Sequence, residues 1–367
     1  MRWPKCVSLR AARLGMVGKG NTACEVDVRL VVQIPCLNEE ETLPLVLTSI
    51  PHAIPGIDDI IVLVIDDGST DRTIDVARAH GVHEFVHHAR NQGLGRSFHD
   101  GVARALELGA DIVVNTDGDN QYPQERIVDL VQPIITGTAD VVIADRQVGQ
   151  IEHFSPLKKF LQKFGSRVVN EAAGTDLPDA ASGFRAYSRE SLMLLNTITR
   201  FSYCMETIIQ AGNKKLKIDS IPIVTNPKTR ESRLFGSMAE HILKSAGAII
   251  RAFIMYKPYL IFTWLAVIFG VLGLIPFVRY AVLAVQNSPG GHLQSLLVGA
   301  VLLVLSFLSV LMGIISDLIR TNRMLIEDVL EHTKKARFKP AGKSHMTAIT
   351  WSENGNRSAV AEVAPRH

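Results

Sequence analysis

Asn115-Thr116-Asp117-Gly118-Asp119-Asn120-Gln121 follows directly on the apolar run of residues 112–114. That run reads as a strand, and residues two apart on a strand share a face. The spacing therefore predicts that Asp117 and Asp119 reach one point together at the strand's end, where open α/β sheets bind ligands. Paired oxygen ligands suit Mg²⁺ or Mn²⁺ carrying a nucleotide diphosphate. Asp-Gly pairs are also ordinary turn material, so the stretch takes its meaning from its surroundings.

Working outward, the chain alternates strand-like and helix-like segments. Residues 30–34 are apolar and β-branched, and 40–50 carry Leu43, Val46, Leu47 and Ile50 at helical spacing. Residues 60–65 form a continuous apolar run, as in a strand buried on both faces. Ser69, Thr70 and Asp71 offer caps for a helix reaching His80. A short strand at 84–87 leads to a helix over 93–108. Past the Asp-x-Asp stretch, 123–135 reads as a helix with proline near its start, and 140–144 as a strand. This β-α order indicates a mostly parallel α/β sheet. Beyond it the sequence predicts a basic helix over 157–172, strands over 183–187 and 218–224, and a short helix over 203–211.

Near the C-terminus, residues 259–277 and 293–316 carry no charge. Each is about the ~20 residues a helix needs to cross hydrocarbon; two buried core helices are the alternative. Between them, Asn287-Ser288-Pro289-Gly290-Gly291 reads as a tight connection, and Arg279 can snorkel to the interface. Arg251 and Lys257 lie before the pair; Arg320, Arg323, Lys334, Lys335 and Arg337 lie after it. The positive-inside rule places both flanks, both termini and the catalytic domain in the cytoplasm, with the hairpin in the cell membrane. Residues 237–256 place Met238, Ile242, Ala246, Ile249 and Phe253 on one stripe, suited to the membrane interface. The expected organisation is a disordered leader (1–26), a catalytic domain (27–234), an interfacial helix (235–257), a transmembrane hairpin (258–317), and a cytoplasmic helix with a disordered tail (318–367).

A net charge of +3, with no basic stripe interleaved with aromatics, argues against nucleic acid as a partner. Cys6, Cys24, Cys36 and Cys204 have neither zinc spacing nor a disulfide frame. The first residues are basic without an apolar core, so no cleaved signal peptide is expected. His80, His83, His87 and His88 fall on a helix end and an edge-like strand, and read as solvated side chains rather than a ligand set.

Three further stretches accompany the Asp-x-Asp. Ile34-Pro35-Cys36-Leu37-Asn38-Glu39-Glu40 ends the first strand. Asp66-Asp67-Gly68-Ser69-Thr70-Asp71 ends another, where one carboxylate can accept from a base or ribose hydroxyls. Asn91-Gln92-Gly93-Leu94-Gly95 opens a helix, as a tight strand-to-helix turn; with Phe98 at the sixth position it is not a dinucleotide fingerprint. Together with Asp-Gly-Asp-x-Gln-x-Pro and Ser182-Gly183-Phe184-Arg185, these motifs resemble glycosyltransferase family 2 in order and rough spacing. Over residues 30–234 the chain is similar to the branch that holds dolichol-phosphate mannose synthases and polyprenyl-phosphate glycosyltransferases.

The resemblance implies a GT-A fold: a Rossmann-like, mostly parallel nucleotide-sugar-binding sheet, here followed by a two-helix transmembrane hairpin. It implies a UDP- or GDP-linked sugar donor, a polyprenyl phosphate acceptor at the membrane, Mg²⁺ or Mn²⁺, and inversion at the sugar carbon. By the same match Pro35, Asn38, Glu39, Asp66 and Asp67 would hold the nucleoside, with Arg230 and Arg233 also on the donor. Asp117 would face the sugar, while Asp119 and Gln121 would bind the metal. Arg146, Lys158, Lys159, Ser182 and Arg185 would serve the acceptor, and Asp117, Asp119 and Arg146 would carry catalysis. Two departures stand out: Lys158-Lys159 where the branch has arginine, and Glu231 with Arg233 where it has glycine and lysine.

Two rivals follow. A processive polysaccharide synthase would carry Gln-x-x-Arg-Trp, whereas the tryptophans here are Trp3, Trp264 and Trp351. A membrane scaffold with a degenerate transferase domain would not need Asp117, Asp119 and Gln121 intact. Homo-oligomers are compatible with either reading.

Overall fold

The aliphatic runs become strands, and the sheet they build decides where the site lies. The computed structural model of the protein describes residues 27–147, 156–197, 203–227, 258–286 and 293–338, with side chains of the helix at 156 described from 163 onward. The expectations for the leader, for Arg230 and Arg233, for the interfacial stretch 237–256 and for the tail past 338 lie outside the described residues. So do those for the Lys158 and Lys159 side chains.

Seven strands form one sheet: β1 (Arg29–Cys36), β2 (Asp59–Asp66), β3 (Glu84–His87), β4 (Ile112–Asn115), β5 (Val141–Asp145), β6 (Arg185–Ser188) and β7 (Ile218–Pro222). Their order is β3-β2-β1-β4-β6-β5-β7. All run parallel except β6, which pairs antiparallel with both β4 and β5. Alternate residues of β1 feed opposite cores. Val31 packs with Leu63, Ile65, Phe98 and Val102 on one face; Leu30, Val32 and Ile34 pack with Leu43, Val46 and Val64 on the other. Burial on both faces is what the unbroken apolar runs require.

The helices fall where the periodicity places them, except the one at Arg189–Leu194, which it did not predict, and the start of the one at Thr73–Ala79, which lies at Thr73 with Arg72 at the N-cap position rather than Ser69, Thr70 or Asp71. They are α1 (Leu43–Ser49), α2 (Thr73–Ala79), α3 (Leu94–Glu107), α4 (Ile127–Ile135, entered through a 3₁₀ turn at Gln124–Arg126), α5 (Pro156–Ala173), α6 (Arg189–Leu194) and α7 (Tyr203–Asn213). On α3 the buried stripe is Phe98, Val102, Ala105 and Leu106, one face of a 3.6-residue period. The chain direction reverses in sheet order between β1 and β4, which opens a crevice at the carboxyl ends of these strands.

The last two elements are α8 (Pro258–Val285) and α9 (Leu293–Arg337). Both are long and apolar enough to cross a membrane, and their large apolar side chains are mostly exposed. Core helices would bury them. The two pack through small residues: a Cβ on Gly299 would come within 2.9 Å of the Gly273 carbonyl oxygen, and Ser306 Oγ donates to Ala266 O at 2.7 Å. Close backbone approach of this kind is how helices associate in lipid.

The expected second span, 293–316, is only the first half of α9. The helix continues unbroken to Arg337, about 68 Å in all at 1.5 Å per residue. Its end docks on the α/β domain. Lys334 Nζ donates to Leu195 O at 2.6 Å, Arg189 Nη2 to Phe338 O at 2.6 Å, and Arg337 Nη2 to Glu107 at 2.8 Å. Phe338 itself is buried in the core of that domain. Burial and the nearby Lys214 ammonium lower Lys334 to about 8.

Candidate active site

The loops at the carboxyl ends of β1, β2 and β4 are tied to one another, and the loop after β5 brings Arg146 near them. Asn38, held at φ +57°, accepts from Thr70 N through Oδ1 at 2.8 Å, while its own N–H donates to Ser69 Oγ at 2.9 Å. Asp71 accepts from Glu40 N at 3.2 Å and from Thr73 N at 3.0 Å. The Glu39 carboxylate is nearly buried, with Thr42 Oγ1 2.7 Å from its Oε2 and 2.8 Å from Gly118 O. The β1 and β2 loops thus form one rigid wall beside the Asp-x-Asp turn.

Asp66 and Asp67 are sealed into this wall. Asp66 accepts from Ser69 N at 3.0 Å and lies 2.7 Å from His87 Nδ1. Asp67 accepts from the N–H groups of Gln92 and Gly93 at 2.8 and 2.9 Å and lies 2.7 Å from His88 Nδ1. Of these two carboxylates, named for the nucleoside in the sequence reading, Asp67 fixes the loop that opens α3, and Asp66 closes its own turn and faces His87. The histidine expectation is corrected at His88: it is buried and bridges Asp67 to Asp100, whose Oδ2 is 3.2 Å from His88 Nε2. A two-residue strand period could not show this, because the partners sit on three different elements. His80 and His83 are exposed, as expected.

β4 ends at Asn115, so Asp117 and Asp119 lie in the following turn rather than on the strand. Their convergence comes from the turn, not from strand periodicity. Asn120 takes φ +58°, and Asp119 then accepts from Gln121 N at 3.1 Å and from Gln121 Nε2 at 2.7 Å. Asn226, just past β7, closes over the turn by donating to Asn120 O at 3.0 Å and, through its N–H, to Gln121 O at 2.9 Å. Burial, with the Asp119 and Glu39 charges, pushes Asp117 up to about 7 against the pull of Arg146 and Arg185. Two acids crowded this way form a site whose charge a cation relieves.

Among the described residues no three acidic, His or Cys side chains form a closed metal cage. An open site is compatible with the residues present: Asp119, with Gln121 beside it, would hold Mg²⁺ or Mn²⁺ together with a nucleotide's phosphates, since Mg²⁺ commonly takes only one or two protein carboxylates.

The floor is built around Gly183. A Cβ there would meet Asp117 Oδ2 and the Tyr203 hydroxyl, each at 3.2 Å. Only a glycine lets this backbone lie against the carboxylate undisturbed. Tyr122 OH accepts from Gly183 N at 3.0 Å, and Asn115 Nδ2 donates to Gly183 O at 3.1 Å. Tyr122 also stacks on Phe184.

Arg146, at the end of β5, makes a two-pronged pair with buried Asp179: Nε to Oδ2 at 2.7 Å and Nη2 to Oδ1 at 3.0 Å. Burial works against the charge on Asp179, but Arg146 holds its carboxyl below the ordinary value. Sequence reasoning missed Asp179, since nothing in its spacing marks it.

Arg185 is placed differently from the expectation that it serves the acceptor. It is fully buried and donates to the carbonyls of Ser182, Cys204 and Ala180 and to Thr207 Oγ1. It braces the Ser182–Phe184 loop from behind and cannot reach a phosphate. Ser182 Oγ is buried without a partner among the described residues. Arg185→Met would leave several buried acceptors unpaired, at about 1–3 kcal/mol each. We expect the thermal midpoint of the full chain to fall by at least about 5 °C; an unchanged midpoint would count against this bracing.

A concavity of about 590 Å³ along α5, lined by Lys163, Arg167, Asn170 and Asp176, holds none of the Asp-x-Asp residues. It flanks the site rather than forming it.

Residues 31–195 match the family described as glycosyl transferase family 2. The UDP-N-acetylglucosamine–dolichyl-phosphate N-acetylglucosaminyltransferase of Methanococcus voltae is 30% identical over 54% of this chain and 86% of its own length. The undecaprenyl-phosphate mannosyltransferase of Micrococcus luteus is 32% identical over 46% of this chain and 70% of its own. Among solved structures, glucosyl-3-phosphoglycerate synthase from Mycobacterium tuberculosis, in complex with Mn²⁺, UDP and phosphoglyceric acid, is 24% identical with a TM-score of 0.48, over 60% of this chain and 78% of that one.

Proposed function

The chain belongs to glycosyl transferase family 2, and from that premise we propose that it moves a sugar from a nucleotide-sugar donor to a polyprenyl phosphate, with inversion, at a membrane surface. The observation that carries this reading is the closeness of Arg146 to the Asp117–Gln121 turn in a domain docked on the end of the second of two exposed apolar helices. Two of its relatives are named for transfer to dolichyl or undecaprenyl phosphate, which supports the acceptor class.

In the proposed reaction, an acceptor phosphate oxygen attacks the anomeric carbon as the bond to the nucleotide diphosphate breaks. That oxygen is already anionic at neutral pH, so no strong general base is needed. Pro35, Asn38 and Glu39 line the nucleoside end, with Asp66 and Asp67 holding the loop shape behind them. Asp119 and Gln121 would hold Mg²⁺ or Mn²⁺, which supplies Lewis-acid help to the departing diphosphate. Asp117 orients the sugar, and Arg146 neutralises acceptor phosphate with the edge of its guanidinium that Asp179 does not use. Arg230 and Arg233 on the donor, and Lys158 and Lys159 on the acceptor, complete the charge set. UDP and GDP both suit this arrangement.

The decisive experiment incubates membranes containing the full chain with labelled nucleotide sugars and polyprenyl phosphate. Label in a lipid-extractable product is the expected result. Release of free sugar without lipid product would move the chain to another acceptor.

Orientation belongs to the same proposal: the catalytic domain faces the cytoplasm. A cysteine placed at Ser288, between the two apolar segments, should react with a membrane-impermeant maleimide from outside, whereas one at Thr333 should not. The reverse pattern would put donor use on the other side of the membrane.

A further inference from the structure

Behind Gly183 lies a buried hydroxyl that no sequence motif marks. Tyr203 opens α7, and its side chain is fully buried. Its ring lies flat on Phe98 of α3, with centroids 4.0 Å apart and planes 2° from parallel, and the Arg185 guanidinium stands 5.9 Å from the ring centre. A ring packed this way has its hydroxyl aimed before any ligand arrives.

That hydroxyl donates to Gly183 O at 2.9 Å and accepts from Asn115 Nδ2 at 2.6 Å. Burial pushes the phenol well above its ordinary value, so it stays protonated and remains a donor. Asn115 is itself fixed, since its Oδ1 accepts from Gln33 Nε2 of β1 at 2.9 Å. A fully buried chain of polar groups therefore runs from β1 through β4 and α7 to the Gly183 carbonyl. On the amide side of the same residue, the Tyr122 hydroxyl takes the Gly183 N–H at 3.0 Å. Two tyrosine hydroxyls thus hold one glycine by both of its backbone polar groups.

What they hold is the seat of the Asp117 carboxylate. Both carboxylate oxygens lie against Gly183: a Cβ built there would stand 3.2 Å from Oδ2 and 3.4 Å from Oδ1. The Tyr203 hydroxyl is 3.2 Å from the same point. Close-packed interiors pass the shift of one group on to its neighbours. A displaced Gly183 backbone would either turn the carboxylate or leave it unsupported. Asn115 also stands only two residues before Asp117, so its bond to the Tyr203 hydroxyl ties the start of the Asp-x-Asp turn to the loop facing it.

We propose that Tyr203 is a positioning residue for sugar transfer: through Gly183 it sets the direction of the Asp117 carboxylate against the donor sugar. Being buried, it acts through that contact and touches no substrate. The inference rests on the reading of Asp117 as the group that faces the sugar, and it requires no particular acceptor.

Tyr203→Phe tests it, in the full chain in detergent micelles. The ring keeps its stack on Phe98, and Asn115 Nδ2 still donates to Gly183 O at 3.1 Å, so that carbonyl is not orphaned. Two rates are read with Mn²⁺ and the labelled nucleotide sugar that the native chain uses: transfer to undecaprenyl phosphate, and hydrolysis without acceptor, in which water takes the acceptor oxygen's place at the anomeric carbon. Both are counted per nucleotide-binding site by calorimetry, so that loss of folded protein does not register. Each kcat should fall at least about tenfold, since small misplacements of a reacting group cost up to about 10² in rate. Affinity for UDP or GDP, which carry no sugar, and the KM for undecaprenyl phosphate should stay within about twofold. Tyr187→Phe, which removes another buried hydroxyl from a ring 5.7 Å from Phe98, should change none of these. Rates for Tyr203→Phe within about twofold of native overturn the proposal. So does an equal fall with Tyr187→Phe, or a loss of nucleotide affinity as large as the loss of rate. A native chain that hydrolyses the donor but forms no lipid product, with hydrolysis still falling tenfold in Tyr203→Phe, would remove the acceptor reading and leave Tyr203 in its role.

Discussion

Asp119→Asn should lower sugar transfer at least about 10³-fold, roughly 4 kcal/mol of transition-state stabilisation, while the chain remains folded. Asparagine has nearly the shape of aspartate and keeps one oxygen for the Gln121 backbone N–H, which Asp119 Oδ1 accepts from at 3.1 Å, while a flip of the Gln121 amide turns its oxygen to the new NH2 where Nε2 had donated to Oδ2 at 2.7 Å. The turn is therefore kept and the charge is lost. What goes with the charge is affinity for a divalent cation beside the leaving diphosphate. Transfer rate against Mg²⁺ or Mn²⁺ concentration measures the first effect. A thermal midpoint that rises with cation and nucleotide in the native chain, but not in the variant, measures the second, since a ligand that binds only the folded state stabilises it. Near-normal turnover at saturating metal would remove Asp119 from the metal site.

That turn was legible in the sequence for a reason that proved partly wrong. Burial raises the Asp117 carboxyl first and the Asp119 charge raises it further, so Asp117 and Asp119 do come near each other. The cause is a turn with Asn120 at positive φ rather than a strand, which ends at Asn115. Element type and order were readable where a central strand's burial on both faces leaves an unbroken apolar run, as in β4. The place of β6 was not readable. Its insertion between β4 and β5 is set by pairing with Val114 and Val142, distant in sequence, and Arg185–Ser188 carries no local sign of direction. The same limit hid the roles of Asp179, His88 and Arg185. Motif spacing marks which residues cluster, but only burial distinguishes a side chain aimed into the crevice from one bracing it. Arg185 braces; Arg146, partly exposed, lies close enough to Asp117 for its charge to pull that carboxyl down.

Arg146 is the position where replacement should separate acceptor from donor most sharply. Its guanidinium is held by Asp179 at 2.7 and 3.0 Å, so its orientation is fixed before any ligand arrives. Charged hydrogen bonds contribute about 1.5–3 kcal/mol each, which predicts a rise of roughly 10- to 100-fold in the KM for polyprenyl phosphate. Arg146→Ala alone would confound this, because it leaves buried Asp179 unpaired at a cost of about 3–5 kcal/mol. Arg146→Lys is the cleaner variant: it keeps a positive charge near Asp179 but cannot serve two partners through one planar fork. With Arg146→Lys we expect nucleotide-sugar affinity by calorimetry to stay within about twofold, a difference of about 0.4 kcal/mol, while the acceptor dependence shifts by the full amount. A double variant, Arg146→Met with Asp179→Leu, removes both charges and should show the same acceptor defect with the fold restored, since replacing a buried pair by apolar groups is often neutral for stability. Loss of donor affinity with unchanged acceptor dependence, in either variant, would place Arg146 on the donor side and leave the phosphate of the acceptor to other residues.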